Sequence, residues 1–102
     1  MRYIDLIRDF LAEGGVATSR FTPKSIDVYP PNSRRELHYR LTVENNNLRI
    51  RRLAIKGKMV NGRIHYLSER DPLLTLDLHN PSSLTHLRQW LGTIGYHSPS
   101  NL

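Results

Sequence analysis

Apolar residues recur along this chain with two periods, and the periods mark its elements. Tyr3, Ile4, Ile7, Phe10 and Leu11 fall at three- and four-residue steps, so they share one face of a helix over residues 2–13. Gly14-Gly15 follows with the left-handed backbone that ends helices. Leu84, Leu87, Trp90, Leu91 and Ile94 repeat the helical spacing. Asn80 precedes that helix as N-cap with Pro81 at its first position, and Gly92 or Gly95 stops it.

Between these helices the period is two. Val16 to Pro23 reads as a linker, and Lys24 to Tyr29 as a short strand. The strand stops at Pro30-Pro31, and its prolines suit the edge of a sheet. Leu37, Tyr39, Leu41 and Val43 alternate with His38, Arg40, Thr42 and Glu44. The asparagines Asn45 to Asn47 make a turn, and Leu48 and Ile50 resume the apolar face. Parity then breaks at Arg51-Arg52, where one extra residue, a β-bulge, restores it at Leu53 and Ile55. Asn61-Gly62 is a two-residue hairpin signal that pairs Met59 with Ile64, Gly57 with Tyr66, Lys58 with His65 and Val60 with Arg63. Ser68 to Pro72 turns the chain into a last strand at Leu74, Leu76 and Leu78.

The order is therefore α-β-β-β-β-β-α. Single-sided strands with one apolar stripe per helix predict an α+β fold. It has one antiparallel sheet of about five strands, the N- and C-terminal helices on one face, and an open basic face. The expected domain is 1–97, with 98–102 a frayed tail. No stretch carries a motif of a known family.

Charge sharpens this picture. The segment Arg34 to Arg63 holds nine basic and two acidic residues, a net +7, against six basic and seven acidic elsewhere, a net −1. The sequence pI is about 10.2. A basic sheet of this kind attracts polyanions. With Val43 opposite Leu48, Arg40 stands opposite Arg51 on the open face, a like-charge pair that either solvent or a bound anion must relieve. The expected nucleic-acid contacts are Arg40, Arg49, Arg51, Arg52, Lys56, Lys58, Arg63, Arg34 and Arg35, with arginine suited to phosphate by its planar donors. Tyr39 and Tyr66 point inward by parity and Trp90 lies on the helix stripe, leaving only Tyr29 and Tyr96 without a set direction. Backbone contact with duplex DNA or structured RNA therefore fits better than base stacking.

Two other classes stay open. An edge strand, Lys24 to Tyr29 or Leu73 to Leu78, suits strand addition by a protein partner or a homodimer. A metal-independent RNase would use His38 and His65 as acid and base near the arginines, with Glu44 at the strand end. There are no cysteines, which excludes a disulfide scaffold, a thiolate metal site and a cysteine nucleophile. The five histidines have no metal-binding spacing, and no cofactor motif occurs. No apolar run reaches the length of a membrane helix and the N-terminus is unlike a signal peptide, so a cytoplasmic protein is expected.

Overall fold

A computed structural model describes residues 2–31, 37–60, 63–68 and 71–96, and of residues 54–60 and 63–68 the backbone alone. The elements run α1 (Tyr3–Glu13), β1 (Ala17–Thr22), β2 (Ser25–Tyr29), β3 (Leu37–Glu44), β4 (Asn47–Val60), β5 (Arg63–Ser68), β6 (Leu74–Asp77) and α2 (Ser83–Thr93). The sheet is antiparallel in the order β1-β2-β3-β4-β5, and β6 also pairs with β4. The first four residues of β4 take β6, while Leu53 onward takes β5, so one long strand carries two short neighbours on one edge.

Both helices pack on the same face. Ile4, Ile7 and Leu11 of α1 join Leu87 and Leu91 of α2 in one core with Ile26, Val28, Leu41, Leu48, Ile50 and Leu76. These strand residues share a parity, as the alternation predicts. Trp90 meets Tyr39 edge-on, ring centroids 5.1 Å apart.

The β3–β4 register follows from its turn. Asn45 and Asn46 have φ of 48° and 65° between the paired Glu44 and Asn47. Two positive φ values in a two-residue loop define a type I′ hairpin, which asparagine tolerates. Val43 then faces Leu48, Leu41 faces Ile50 and Arg40 faces Arg51, as expected from the sequence.

Both helices stop by one device. Gly15 (φ 70°) and Gly95 (φ 114°) occupy the left-handed position. The Val16 N–H bonds the Leu11 carbonyl at 3.0 Å and the Tyr96 N–H bonds the Leu91 carbonyl at 2.9 Å, the Schellman arrangement. Gly92 lies inside α2. At the start of α2 the helix begins at Ser83, later than the Asn80-Pro81 signal places it. Asn80 still serves the entry turn, because its Oδ1 accepts the Ser82 N–H at 2.9 Å.

Four local expectations are corrected. The supposed linker is strand β1, which pairs with β2 from Ala17↔Tyr29 to Thr22↔Ser25. Its residues are almost all exposed, so no apolar alternation announces it. The segment 24–29 is consequently an interior strand, and the edge passes to β1. Arg51-Arg52 carries no bulge, since β3 and β4 stay in register through Leu37↔Ala54. The irregularity lies between Ile55 and Met59, so Tyr66 pairs with Ile55 instead of Gly57, and Lys58 is not in register with His65. The pairs Met59↔Ile64 and Val60↔Arg63 hold, while the Asn61-Gly62 turn itself, part of the Pro30 to Arg35 loop and the tail 98–102 lie outside the described residues.

Tyr96 closes the structure. Its hydroxyl accepts the Ala17 N–H at 3.1 Å and donates to the Tyr29 carbonyl, joining the end of α2 to β1 and β2. Tyr96→Phe removes two bonds to backbone and should cost about 1–2 kcal/mol in urea unfolding. Tyr3→Phe, whose exposed hydroxyl reaches only His79 at 3.5 Å, should leave the midpoint unchanged.

Candidate functional site

The face opposite the helices is built by alternation, broken once in β1, and its rows run across the strands. Ser19, Asp27, Arg40 and Arg51 form one row from β1 to β4. Thr22, Ser25, Thr42, Arg49 and Thr75 form the next, which ends on β6. Glu44, Asn47 and Asp77 close it at the turn end.

The opposed Arg40 and Arg51 are relieved by the protein's own carboxylates. Arg40 turns toward β2 and binds Asp27 through both oxygens, Nε to Oδ1 at 2.7 Å and Nη2 to Oδ2 at 3.0 Å. This paired geometry is the strong form of an arginine–carboxylate contact. The Phe21 ring lies 3.4 Å from the same guanidinium carbon. Phe21 shares the parity of Ser19 and so lies on this face, and the irregularity between Arg20 and Thr22 brings Thr22 there beside it. Glu44 takes the other two arginines, Arg49 at 2.7 Å and Arg51 at 3.5 Å. On the open face of β2, β3 and β4, three guanidiniums thus meet two carboxylates, Asp27 and the shared Glu44, and Asp77 lies at the turn end of the same face. With His38 neutral, the expected basic face has no net charge there.

Part of this face is closed as well. Asp27 is 6% exposed, Ser25 5% and His38 2%, and Leu53, opposite His38, is fully buried. Leu53 lies on this side because no bulge shifts it toward the helices. Tyr29 stacks on His38 at 5.0 Å between centroids and its hydroxyl meets Ser19 Oγ at 2.8 Å. Arg52 stands on the helix side, opposite Tyr39, and is exposed.

Burial lowers the His38 pKa below its usual 6.5. The Asp27 carboxylate at 3.4 Å works against that shift, and the Arg40 charge adds to it. His38, the described member of the histidine pair expected for an RNase, is thus enclosed rather than open on this face. The side chains of His65, Lys56, Lys58 and Arg63, and residues Arg34 and Arg35, lie outside the described residues. Among those described, no group of three His, Asp or Glu is placed to hold a metal, and no helix is long and apolar enough to cross a membrane.

The remaining feature is the far end of β4. Beyond Ala54, among the described residues, β4 is paired by β5 alone. Residues 55–60 with their β5 partners therefore extend as a two-stranded ribbon, roughly 20 Å long at strand rise. Lys56, Lys58 and Arg63 belong to it, and no Asp or Glu occurs from Asn45 to Ser68. The sequence signal was present as that acid-free run, but alternation alone spread its charge over the whole sheet.

No protein-family model matches this chain, and neither a curated protein nor a solved structure was found similar to it.

Asp27 neutralises a guanidinium that would otherwise face Arg51. Asp27→Asn should cost on the order of 2–3 kcal/mol in chemical unfolding, toward the low end for a partly exposed pair. Arg40→Met added to it should restore part of the loss. The His38 shift gives a pH dependence of definite sign. Above about 6.5 the imidazole is neutral in both states; below it the unfolded chain binds a proton that the folded chain refuses. Stability should therefore fall as pH drops from about 6.5 toward the lowered folded value. His38→Gln should make that fall shallower in melts at a series of pH values.

Proposed function

We propose that this protein is a small nucleic-acid-binding domain that contacts the phosphate backbone of a duplex through the β4–β5 ribbon. The observation that carries the reading is the separation of charges. On the five-stranded part, arginines are matched by Asp27 and Glu44, whereas the ribbon holds Lys56, Lys58 and Arg63 in a run without acids. An uncompensated cluster gains more from releasing phosphate counterions than one already paired. A two-stranded ribbon also has the width that the major groove of a DNA duplex admits, about 12 Å. Arg34 and Arg35 add charge elsewhere in the chain, and Arg52 stands where β4 leaves the wide sheet. A cytoplasmic location goes with a nucleic-acid partner and belongs to the same proposal.

A second reading rests on β1. It is an edge strand, exposed along nearly its whole length, and Phe21 on it is 56% exposed. Such an edge suits strand addition by a partner protein or a second copy.

The two readings separate in one series of measurements. Lys56→Gln, Lys58→Gln and Arg63→Gln combined should weaken binding to any duplex sequence. The slope of log affinity against log salt should flatten by up to about 2.7, or 0.9 for each phosphate no longer neutralised. Arg8→Gln and Arg49→Gln should change neither quantity. Fluorescence anisotropy at several salt concentrations reads both. An unaltered slope in the triple variant removes the ribbon from the interface, and dimerisation abolished by Arg20→Pro would favour the β1 edge.

A further inference from the structure

At the opposite end of β4 from the ribbon, the start of α1, the β1–β2 turn and the β3–β4 turn border a cavity of about 660 Å³ that is widely open to solvent. Ile4 and Val43 give it an apolar wall. Arg2 and Lys24 enter from two separate elements, and Asn45 and Asn46 line it from the third. The volume falls within the range that holds small organic ligands, about 300–1,000 Å³.

The pairing of cations elsewhere makes this cavity distinctive. Arg8, Arg20, Arg40, Arg49 and Arg51 each meet a carboxylate, and Arg88 lies on the Phe10 ring. Arg2 and Lys24 have no such partner among the described residues, and both reach the same cavity. Asn45 and Asn46, held by the left-handed turn that sets the β3–β4 register, line the same cavity and carry amide groups that can donate. Two cations and two amides above an apolar wall match one chemistry: a small organic anion, with a phosphate or carboxylate head on an aromatic or aliphatic body.

We propose that this cavity is a binding site for such an anion, separate from the ribbon. Arg2 and Lys24 hold the head through charge-assisted hydrogen bonds, and the body rests on Ile4 and Val43. The apolar wall distinguishes the ligand from free inorganic phosphate. The site does not depend on nucleic-acid binding, because it uses none of the ribbon cations.

The test is a nuclear magnetic resonance titration of the ¹⁵N-labelled full chain with phenyl phosphate, benzoate, inorganic phosphate and phenol. Phenyl phosphate or benzoate should give saturable shifts at the backbone amides of residues 3, 4, 24, 45 and 46, and which of the two binds more tightly identifies the head group. Inorganic phosphate should bind more weakly, and phenol should give no saturable shift there. Arg2→Gln with Lys24→Gln should weaken binding by about tenfold or more, the loss expected for charged hydrogen bonds. Both residues are exposed, so the thermal midpoint of the double variant serves as the check that it folds. The Lys56→Gln, Lys58→Gln and Arg63→Gln triple variant should bind the probe unchanged, which keeps this site's failure distinct from that of the ribbon. Absence of saturable shifts at the cavity, an affinity unaltered in the folded double variant, or binding that disappears with the ribbon cations would each overturn the proposal.

Discussion

The two-residue turn at Asn45-Asn46 is the constraint on which the rest of the sheet depends. Because its loop is two residues long, Val43 must face Leu48 and Leu41 must face Ile50. A slip of one residue would send every core side chain of β4 to the other face. The same register leaves Arg40 and Arg51 no alternative to standing opposite each other. What the turn gives the core, it imposes on the second face, and the electrostatics of that face are the answer to it.

That answer draws on both sides of the hairpin. Asp27 comes from β2 and pulls Arg40 away from β4, while Glu44, near the turn, draws Arg51 and Arg49 toward itself. The two guanidiniums are thereby committed to carboxylates on different strands. Asp27 is almost wholly buried, so its charge depends on Arg40 more than a surface carboxylate would. Phe21 and Tyr29 then shield the site from one side, and this shielding keeps His38 neutral against the pull of the same carboxylate. The cluster reads as structural because each polar group answers a problem posed by its neighbours.

Much of this was legible in the residues, though unevenly. Strong alternation with asparagines between gave the β3–β4 register down to the Arg40–Arg51 opposition. The helices were legible because their stripes are continuous and a glycine follows each. Strand β1 was not, because Ala17 to Thr22 buries almost nothing and is held by backbone pairing and by the Tyr96 hydroxyl. The place of Leu53 was also hidden. Reading it as a core residue on the helix side required a bulge, whereas the second face has its own buried patch beside His38. Alternation identifies two faces; it does not reveal that both bury apolar area. Asp27 went unweighted for a related reason, since its partner Arg40 is distant in sequence and adjacent only across the strand pairing.

The charge balance shows the same limit and divides the basic segment more finely than composition does. A net +7 over residues 34–63 describes a segment that the fold divides in two. Where β4 has neighbours on both sides, Glu44 takes its open-face Arg49 and Arg51, and Asp27 of β2 takes the facing Arg40. Beyond Ala54, among the described residues, β4 is paired by β5 alone. Like charges carried close together on paired strands repel one another. Repulsion of this kind is relieved by a polyanion laid along the ribbon, and the relief grows with the number of phosphates in reach. The contrast between arginines paired on the open face and an acid-free run in the extension is therefore what the proposed partner rests on.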